Sequence, residues 1–559
     1  VVLIVMAVSG GVALGLEVLW TRLLIQSMSS TAYAFAILLA TFLVGIALGS
    51  NWVKRHVDIW GHLPEKLAFS QVAIAVLTLL GPIVLLKLAP PLLSWIGNAV
   101  GIMDLERWNF EIWSIWSAMI LLPTAIVFGI MFPIAARLMA KRLSDLGSAI
   151  GKLYMANTLG GVFGSFLFGF VLLPILGLHK SMLVTIFVQM LLAVTLALAS
   201  KSAKSTLVRI AFPVCATIFL VFIVPENPTG ALMRSRVSGE ILHQVEDYYG
   251  NIIVSKERRQ SGAYLRLSVN GAPYSDTGPY GLRYMRLQAH IPAILSGRPK
   301  KGLVIGLGVG TTAGALAAYP DIKLTVVELS KAVVDVHPYF IFSSKNVLAR
   351  PNVHVVVDDG RNYLLRNNRE RFDVITLEPP PPTHAGMANL YSKDFYKLMK
   401  DRLTENGVAA QWIPLHTQSE EETKTLIASF ISIFPEASLW LTESAETLLK
   451  GTTSKISLPP DYLPSIYSLP EVAGNLAGVG IDETTKLAGT FLMDAKGLRD
   501  YVNNAFIMTD DKPIIEYRVP GINDKYQETL KKMLIYRGSL SLVASMLGIP
   551  RENIPKIQA

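Results

Sequence analysis

The chain has 559 residues, of which 51% are hydrophobic and only 17% are charged. Its mean hydropathy of +0.42 is high for a soluble protein of this length and predicts a membrane part. The net charge of +9 suits acidic lipid head groups or an anionic ligand, but the basic residues form no compact stripe, so a nucleic-acid partner is excluded. The single Cys215 excludes a disulfide framework and a cysteine metal site.

Long uncharged stretches fill the first part of the chain. They form seven apolar segments of about 20 residues, the length of a helix that crosses a bilayer. The segments lie near 1–24, 32–53, 67–89, 113–136, 155–177, 181–200 and 207–224. We therefore predict a multi-pass domain of about seven transmembrane helices over residues 1–224, in the lipid bilayer of the cell (inner) membrane. Whether these helices only anchor the chain, deliver a substrate, or pair with a second copy or a membrane-complex partner stays open.

A second, more polar region follows. Pro225 to Gly230 (PENPTG) ends the last apolar segment, and residues from about 236 to 275 alternate apolar and polar side chains. The pair Asn270-Gly271 is typical of a hairpin turn. We predict a linker and a small antiparallel β subdomain over residues 225–277, with a helix near 280–296.

The next stretch, KGLVIGLGVGTTAGALAAYPDIKLTVVELS, reads as strand, glycine turn, helix, strand and acid. Gly306, Gly308 and Gly310 form the turn, and Glu328 ends the second strand. Glycines let the backbone approach a ligand, and an acid at this position can accept both hydrogen bonds of a ribose diol. This pattern predicts a nucleoside-binding site.

Three further strands are predicted, separated by helices near 391–404 and 418–433. The third strand ends in Asp358 and Asp359, the fourth ends in Glu378 before four consecutive prolines, and the fifth contains Gln411 and Trp412. Strands that alternate with helices predict a parallel, doubly wound sheet, which binds ligands at the carboxyl ends of its strands. We assign this domain to residues 278–445 and a C-terminal extension to residues 446–559.

The motifs YYGNIIV, NGAPYS, YMRLQAHIPAIL, IGLGVGTT, VVELS, VDDGRNYL, DVITLEPP and LYSKDFY resemble, in this order, the spermidine synthase (aminopropyltransferase) family. That family joins an N-terminal β subdomain to a class I methyltransferase-like fold. With EVLWTRLL, MANTLGGVFGS and MTDDKPIIEY, the chain also resembles a multi-pass membrane branch of the family.

The resemblance implies transfer of an aminopropyl group from decarboxylated S-adenosylmethionine to a polyamine amine, without a metal. It implies that Glu328 holds the ribose, that Asp359 contacts the adenine, and that Glu378 orients and deprotonates the attacking amine. The implied ligand-binding residues are, for the S-adenosyl compound, Gly306, Gly308, Gly310, Glu328, Asp358 and Asp359, and, for the substrate, Tyr284, Tyr391 and Gln411.

The chain departs from the family in two places. The family usually has Asp-x-x-Asp-Pro at the end of the fourth strand, but here the first acid is Glu378 and the second is replaced within Pro379–Pro382. The usual His-Glu after Tyr284 is Met285-Arg286, and an arginine there would repel a polycation. His384 is an alternative base.

These departures keep two other functions open. One is a non-catalytic membrane assembly or transport subunit with a degenerate synthase-like domain, and the other is an S-adenosylmethionine-dependent methyltransferase. The side of the membrane is open as well. Basic residues cluster in the loops at 54–66, 137–152 and 201–209, which places the C-terminal domain outside if seven helices span, whereas a supply of S-adenosyl compounds requires the cytoplasm.

Overall fold

The computed structural model describes residues 1–28, 30–88, 91, 109–140, 142–200, 203–223, 227–234, 239–518 and 525–558. The chain divides into two compact units. The first consists of residues 1–238 and 246–251, and the second of residues 239–245 and 252–559. The predicted boundary at residue 224 lies outside the described residues.

The first unit is helical. Among its described residues, six helical runs are long and apolar enough to cross a membrane: Val2–Gln26, Ala32–Val53, Leu63–Leu88, Ile115–Met139, Leu146–Leu198 and Ala203–Val221. Seven segments were expected, and the count differs because the fifth and sixth predicted segments belong to one run of 53 residues. That run leaves the helical conformation at Gly177 (φ 73°, ψ 175°). The Glu246 carboxylate accepts a hydrogen bond from the Leu178 amide at 3.1 Å just after this break.

Glycines allow close packing between these helices. A Cβ atom on Gly160 would lie 1.8 Å from the carbonyl oxygen of Ala7, and one on Gly49 would lie 2.1 Å from that of Ile126. Both distances are far below a normal contact, so the helix backbones touch at these glycines. Small residues at helix interfaces are the usual means of tight association in a bilayer, where lipid and side chains are equally apolar.

The second unit begins with the predicted antiparallel β subdomain. Its sheet has the order β1-β2-β3-β4, with β1 Glu240–Glu246, β2 Asn251–Arg259, β3 Gly262–Val269 and β4 Ala272–Asp276. Asn270 (φ 50°) and Gly271 (φ 77°) form the turn between β3 and β4. Two consecutive positive φ values match the right-handed twist of a two-residue hairpin, as the Asn-Gly pair predicted.

The main sheet has eight strands: β5 Lys301–Ile305, β6 Lys323–Glu328, β7 Val353–Val357, β8 Phe372–Leu377, β9 Leu403–Pro414, β10 Glu436–Glu443, β11 Glu446–Thr452 and β12 Phe491–Met493. Their order is β12-β10-β11-β9-β8-β5-β6-β7. Strands β5 to β9 pair in parallel, which confirms the predicted doubly wound sheet. The pairs β9–β11, β10–β11 and β10–β12 are antiparallel. The link between β10 and β11 is too short for a crossover helix, so these two strands form a hairpin.

Helices cover both faces of this sheet. In the second unit they are Pro279–Leu295, Thr311–Leu316, Lys331–Asp335, Ile341–Ser344, Gly360–Arg366, Lys393–Lys400, Glu420–Ile431, Tyr462–Tyr467, Pro470–Ala477, Thr484–Gly489, Ala495–Val502, Tyr526–Ile535, Leu540–Leu547 and Ile554–Gln558. Alternate residues of β5 enter two separate cores, Val304 on one face and Leu303 on the other. The predicted boundary at 445 falls between β10 and β11, so strands of the C-terminal extension complete the sheet.

Candidate active site

The glycine turn links β5 to the helix Thr311–Leu316. Gly306, Gly308 and Gly310 have φ values of 92°, 53° and 77°, a region that side chains rarely adopt. A Cβ atom on Gly308 would lie 2.8 Å from the hydroxyl oxygen of Ser275. That hydroxyl accepts a hydrogen bond from the Val309 amide at 3.1 Å, so β4 packs directly on the turn.

Glu328 ends β6, the neighbour of β5, and is 5% exposed. Its two carboxylate oxygens accept hydrogen bonds from the amides of Leu307 (2.8 Å) and Ser330 (2.9 Å). Burial raises the pKa of this carboxyl, although the backbone amides favour its charged form. These backbone hydrogen bonds hold the Glu328 carboxylate beside the glycine turn.

The two acids after β7 have different surroundings. Asp358 forms an ion pair with Arg366 and accepts a hydrogen bond from the Asp359 amide at 2.8 Å. Asp359 is the N-cap of the helix Gly360–Arg366, and its side chain accepts a hydrogen bond from the Asn362 amide at 2.8 Å. Asp358 is thus neutralised within its own segment, and Asp359 has one carboxylate oxygen left for a ligand.

Glu378 follows β8, the other neighbour of β5, and lines a small cavity with Gly306, Gly308 and Gln288. The hydroxyl of Tyr284 donates a hydrogen bond to its carboxylate at 2.6 Å. Burial raises the pKa of Glu378 to about 8, against the effect of this hydrogen bond and with further contributions from nearby acids. The structure therefore brings the glycine turn, Glu328 and Glu378 to the carboxyl ends of three adjacent strands.

The backbone of the proline run after Glu378 contacts a buried tyrosine. The hydroxyl of Tyr391, which is fully buried, lies 3.2 Å from the carbonyl oxygens of both Pro379 and Pro380. Gln411 is also fully buried, on β9 beside Leu377 of β8. Of the three predicted substrate contacts, Tyr284 touches the catalytic candidate, whereas Tyr391 contacts the proline backbone.

Sequence reasoning missed several residues at this site. The Tyr274 hydroxyl lies near both Glu328 and Glu378, and burial and these two acids raise its pKa well above the usual value. The Gln288 amide is 1% exposed, lines the same cavity and has no hydrogen-bond partner among the described residues. An unpartnered buried amide is costly and fits a polar ligand. The motif NGAPYS contained a signal for Tyr274, but Gln288 has the spacing of an ordinary core residue.

A further acid, Glu446, begins β11, at the start of the predicted C-terminal extension. It is 3% exposed, and it accepts hydrogen bonds from the Tyr280 hydroxyl (2.9 Å) and the Trp412 indole (2.8 Å). Burial raises its pKa to about 7.

Among the described residues, no group of three or more His, Cys, Asp or Glu side chains is arranged to hold a metal ion.

Comparison with known proteins agrees with this geometry. Residues 281–442 match the family model of the spermine/spermidine synthase domain. The chain is 27% identical over 311 residues to a polyamine aminopropyltransferase of Corynebacterium efficiens, and this alignment covers 52% of this chain and 57% of the relative. It is 22% identical over 393 residues to a polyamine aminopropyltransferase of Leptospira interrogans, covering 68% of this chain and 72% of the relative. The chain thus spans little more than half of the first relative's length.

Solved structures similar to part of this chain include the spermidine synthase of Thermotoga maritima, with a TM-score of 0.35, 16% identity, and coverage of 53% of this chain and 87% of that chain. A spermidine synthase in complex with the transition-state analogue AdoDATO has a TM-score of 0.34, with the same identity and coverage.

Proposed function

We propose that the chain is a membrane-bound transferase that moves an aminopropyl group from decarboxylated S-adenosylmethionine to an amine. The observation that carries the proposal is the half-buried carboxylate of Glu378, hydrogen-bonded to Tyr284, beside a glycine turn and Glu328. The named function of the curated relatives supports this reaction class.

The proposed reaction assigns a role to three of the acids. In this reaction Glu328 binds the ribose and Asp359 binds the adenine. The glycine turn contacts the nucleoside, and the Gln288 amide lines the same cavity. The amine nitrogen attacks the propyl carbon bound to the sulfonium, the C–N bond forms, and the C–S electron pair stays on sulfur as a neutral thioether. The proton released from nitrogen passes to the Glu378 carboxylate. A pKa of about 8 suits a general base near neutral pH, and the cationic ligands favour its charged form.

Turnover by the full chain in detergent micelles tests the proposal. We expect decarboxylated S-adenosylmethionine and a linear diamine to yield methylthioadenosine and the alkylated amine, measured by chromatography. Formation of S-adenosylhomocysteine from S-adenosylmethionine instead would identify a methyltransferase. Absence of turnover together with absence of methylthioadenosine binding in calorimetry would favour the non-catalytic assembly or transport role.

We further propose that the synthase domain faces the cytoplasm, where S-adenosyl compounds are made. The six apolar helical runs found among the described residues are compatible with a membrane anchor. A reporter fused to the C-terminus should be active as a cytoplasmic enzyme and protected from external protease in intact cells. External cleavage would contradict both this placement and the supply of co-substrate.

A further inference from the structure

A cavity of about 460 Å³ lies between the apolar helices of the first unit. Most of its wall is one face of the run Val2–Gln26, and two neighbouring runs contribute Phe35 and Ser165. Leu14 and Phe35 in this wall are 37% and 53% exposed, so the cavity opens on the side of the helices. For helices that cross a bilayer, this side faces the acyl chains of the lipids. The volume is usual for a small-molecule site, which encloses roughly 300 to 1,000 Å³.

Glu17 is the acid in this wall. It lies nine residues before Gln26, which is about 14 Å along the helix axis from the end of the run. Its carboxylate is half-buried and has neither an ion-pair partner nor a hydrogen-bond partner in the described part of the chain. An unpaired charge inside an apolar segment is costly, and acids at such positions usually bind a cation or a polar ligand. The cavity therefore contains a negative charge that a cationic ligand would neutralise.

Arg22 is the basic residue in the same wall, and it is engaged at the end of the helix. Its Nη2 atom donates hydrogen bonds to the carbonyl oxygens of Asp247 (3.0 Å) and Tyr248 (2.7 Å), in the turn between β1 and β2. The carboxylates of Glu246 and Asp247 also attract its charge. The positive charge of Arg22 is thus offset by acids of that turn and leaves the charge of Glu17 uncompensated.

Two hydroxyl groups of the wall are available to a ligand as hydrogen-bond acceptors. The Thr21 hydroxyl donates its hydrogen to the Glu17 carbonyl oxygen at 2.7 Å, and the Ser165 hydroxyl donates its hydrogen to the Val162 carbonyl oxygen at 3.0 Å. Because a hydroxyl has one hydrogen, its remaining capacity is to accept. Together with the Glu17 carboxylate, the wall offers three accepting groups. A primary ammonium group matches this set, since it has a positive charge, three N–H donors and no acceptor.

We infer that this cavity binds a primary alkylammonium ion, with its nitrogen at Glu17 and its alkyl chain against the apolar side chains of Leu14 and Val18. A phospholipid head group matches the cavity less well, because its ammonium lies outward of its phosphate, whereas Glu17 is farther than Arg22 from the helix end at Gln26. The inference rests on the proposed membrane placement. It is independent of the transfer reaction, because the cavity beside Glu378 is lined by other residues.

Binding of tritiated octylamine to the full chain in phosphatidylcholine nanodiscs tests the inference. Empty nanodiscs measure partitioning into lipid, and phosphatidylcholine itself has no N–H donor with which to compete. We expect saturable binding to the wild type at neutral pH. Octanol has the same chain without the charge, and butylamine has the same charge on a shorter chain. Each should displace octylamine at least about tenfold less effectively than unlabelled octylamine does.

Two variants examine the site separately. Glu17→Gln removes the charge and should weaken octylamine binding by about tenfold or more. Asp145→Asn, which removes an exposed acid of the same unit, is the matched control and should leave binding unchanged. Ser165→Leu keeps Glu17 but fills part of the cavity, and should also weaken binding by about tenfold or more. Melting temperatures of the unliganded variants show whether each one is folded, and Ser165→Leu decides the matter if Glu17→Gln is not.

Four results would overturn the inference: absence of saturable binding to the wild type, undiminished binding by a folded Glu17→Gln or Ser165→Leu variant, displacement by octanol as effective as that by octylamine, or equally effective displacement by butylamine. The outcome is also separate from that of the proposed function. Octylamine binding that depends on Glu17 in a chain without aminopropyl transfer would support this site while the proposed function fails.

Discussion

Replacing Glu378 with glutamine removes a titrating carboxyl group but nearly preserves its shape. Because burial raises its pKa from the ordinary 4.5 to about 8, the native state holds a proton that the unfolded chain has already lost at intermediate pH. In that interval stability falls with rising pH, by about 1.36 kcal/mol per pH unit for one such group. The glutamine side chain does not titrate, so the stability of the variant should lack this dependence on pH.

The expected magnitude follows from the same interval. Between about pH 5 and about pH 8, the free energy of unfolding of the variant should increase by at most about 4 kcal/mol relative to that of the wild type. This corresponds to a melting temperature that is higher by roughly 5 °C at the alkaline end and by little at the acid end. Transfer should fall by a factor of about 100 to 10,000, the usual contribution of a general base. Nucleoside binding should persist.

The measurement is a series of thermal melts of the full chain in detergent across this pH range, beside rates of methylthioadenosine release. Glu421→Gln is the matched control, because that carboxylate is exposed. Parallel melting curves for wild type and Glu378→Gln would refute the assignment of a buried, proton-holding acid. An unchanged rate would refute its role as base.

Three further substitutions test residues in and around the site. Tyr284→Phe removes the hydrogen bond that favours the charged form of the catalytic acid, so the ascending limb of the kcat/KM–pH profile should move up by about one unit; an unmoved limb contradicts this coupling. Gly308→Ala places a Cβ at φ 53° and 2.8 Å from a serine hydroxyl, and should weaken methylthioadenosine binding by about tenfold or more in calorimetry, whereas Gly489→Ala, with an open environment, should not. Asp510→Asn removes an ion pair with Arg361 and should lower the melting temperature by about 2 °C at neutral pH. Although burial opposes it, hydrogen bonding holds the pKa of Asp510 below its usual range, so this deficit should vanish as the pH falls through that pKa; a deficit that persists in acid would contradict the ion-pair explanation.

Local sequence patterns predicted most of the elements that form the site. Apolar runs bounded by acids marked the strands that end at Glu328 and Glu378, because buried parallel strands are continuously hydrophobic and their carboxyl ends face the ligand. The Asn270-Gly271 pair predicted its hairpin because positive φ at two successive positions is a local requirement. Length and apolarity predicted helices long enough to cross a membrane, but not that two of the segments join across Gly177.

Contacts between distant segments were decided by tertiary structure. The antiparallel strand β11 places Glu446 beside Trp412 and Tyr280, which lie 34 and 166 residues away in sequence. Sequence alone could not reveal these neighbours, since they lie on two other elements, the helix Pro279–Leu295 and β9. The same holds for Arg286, whose charge faces the Asn475 carbonyl 189 residues away.

The sequence by itself determined the division into an apolar helical part and an α/β part, together with the strand-end position of Glu378. Both properties are local, because they follow from the hydrophobicity and periodicity of short segments. Only the tertiary structure decided that Glu446 is buried against Tyr280 and Trp412 and that Arg286 contacts the Asn475 carbonyl. Proximity and burial of charged groups arise when elements pack, and they have no signature in any single segment of the chain.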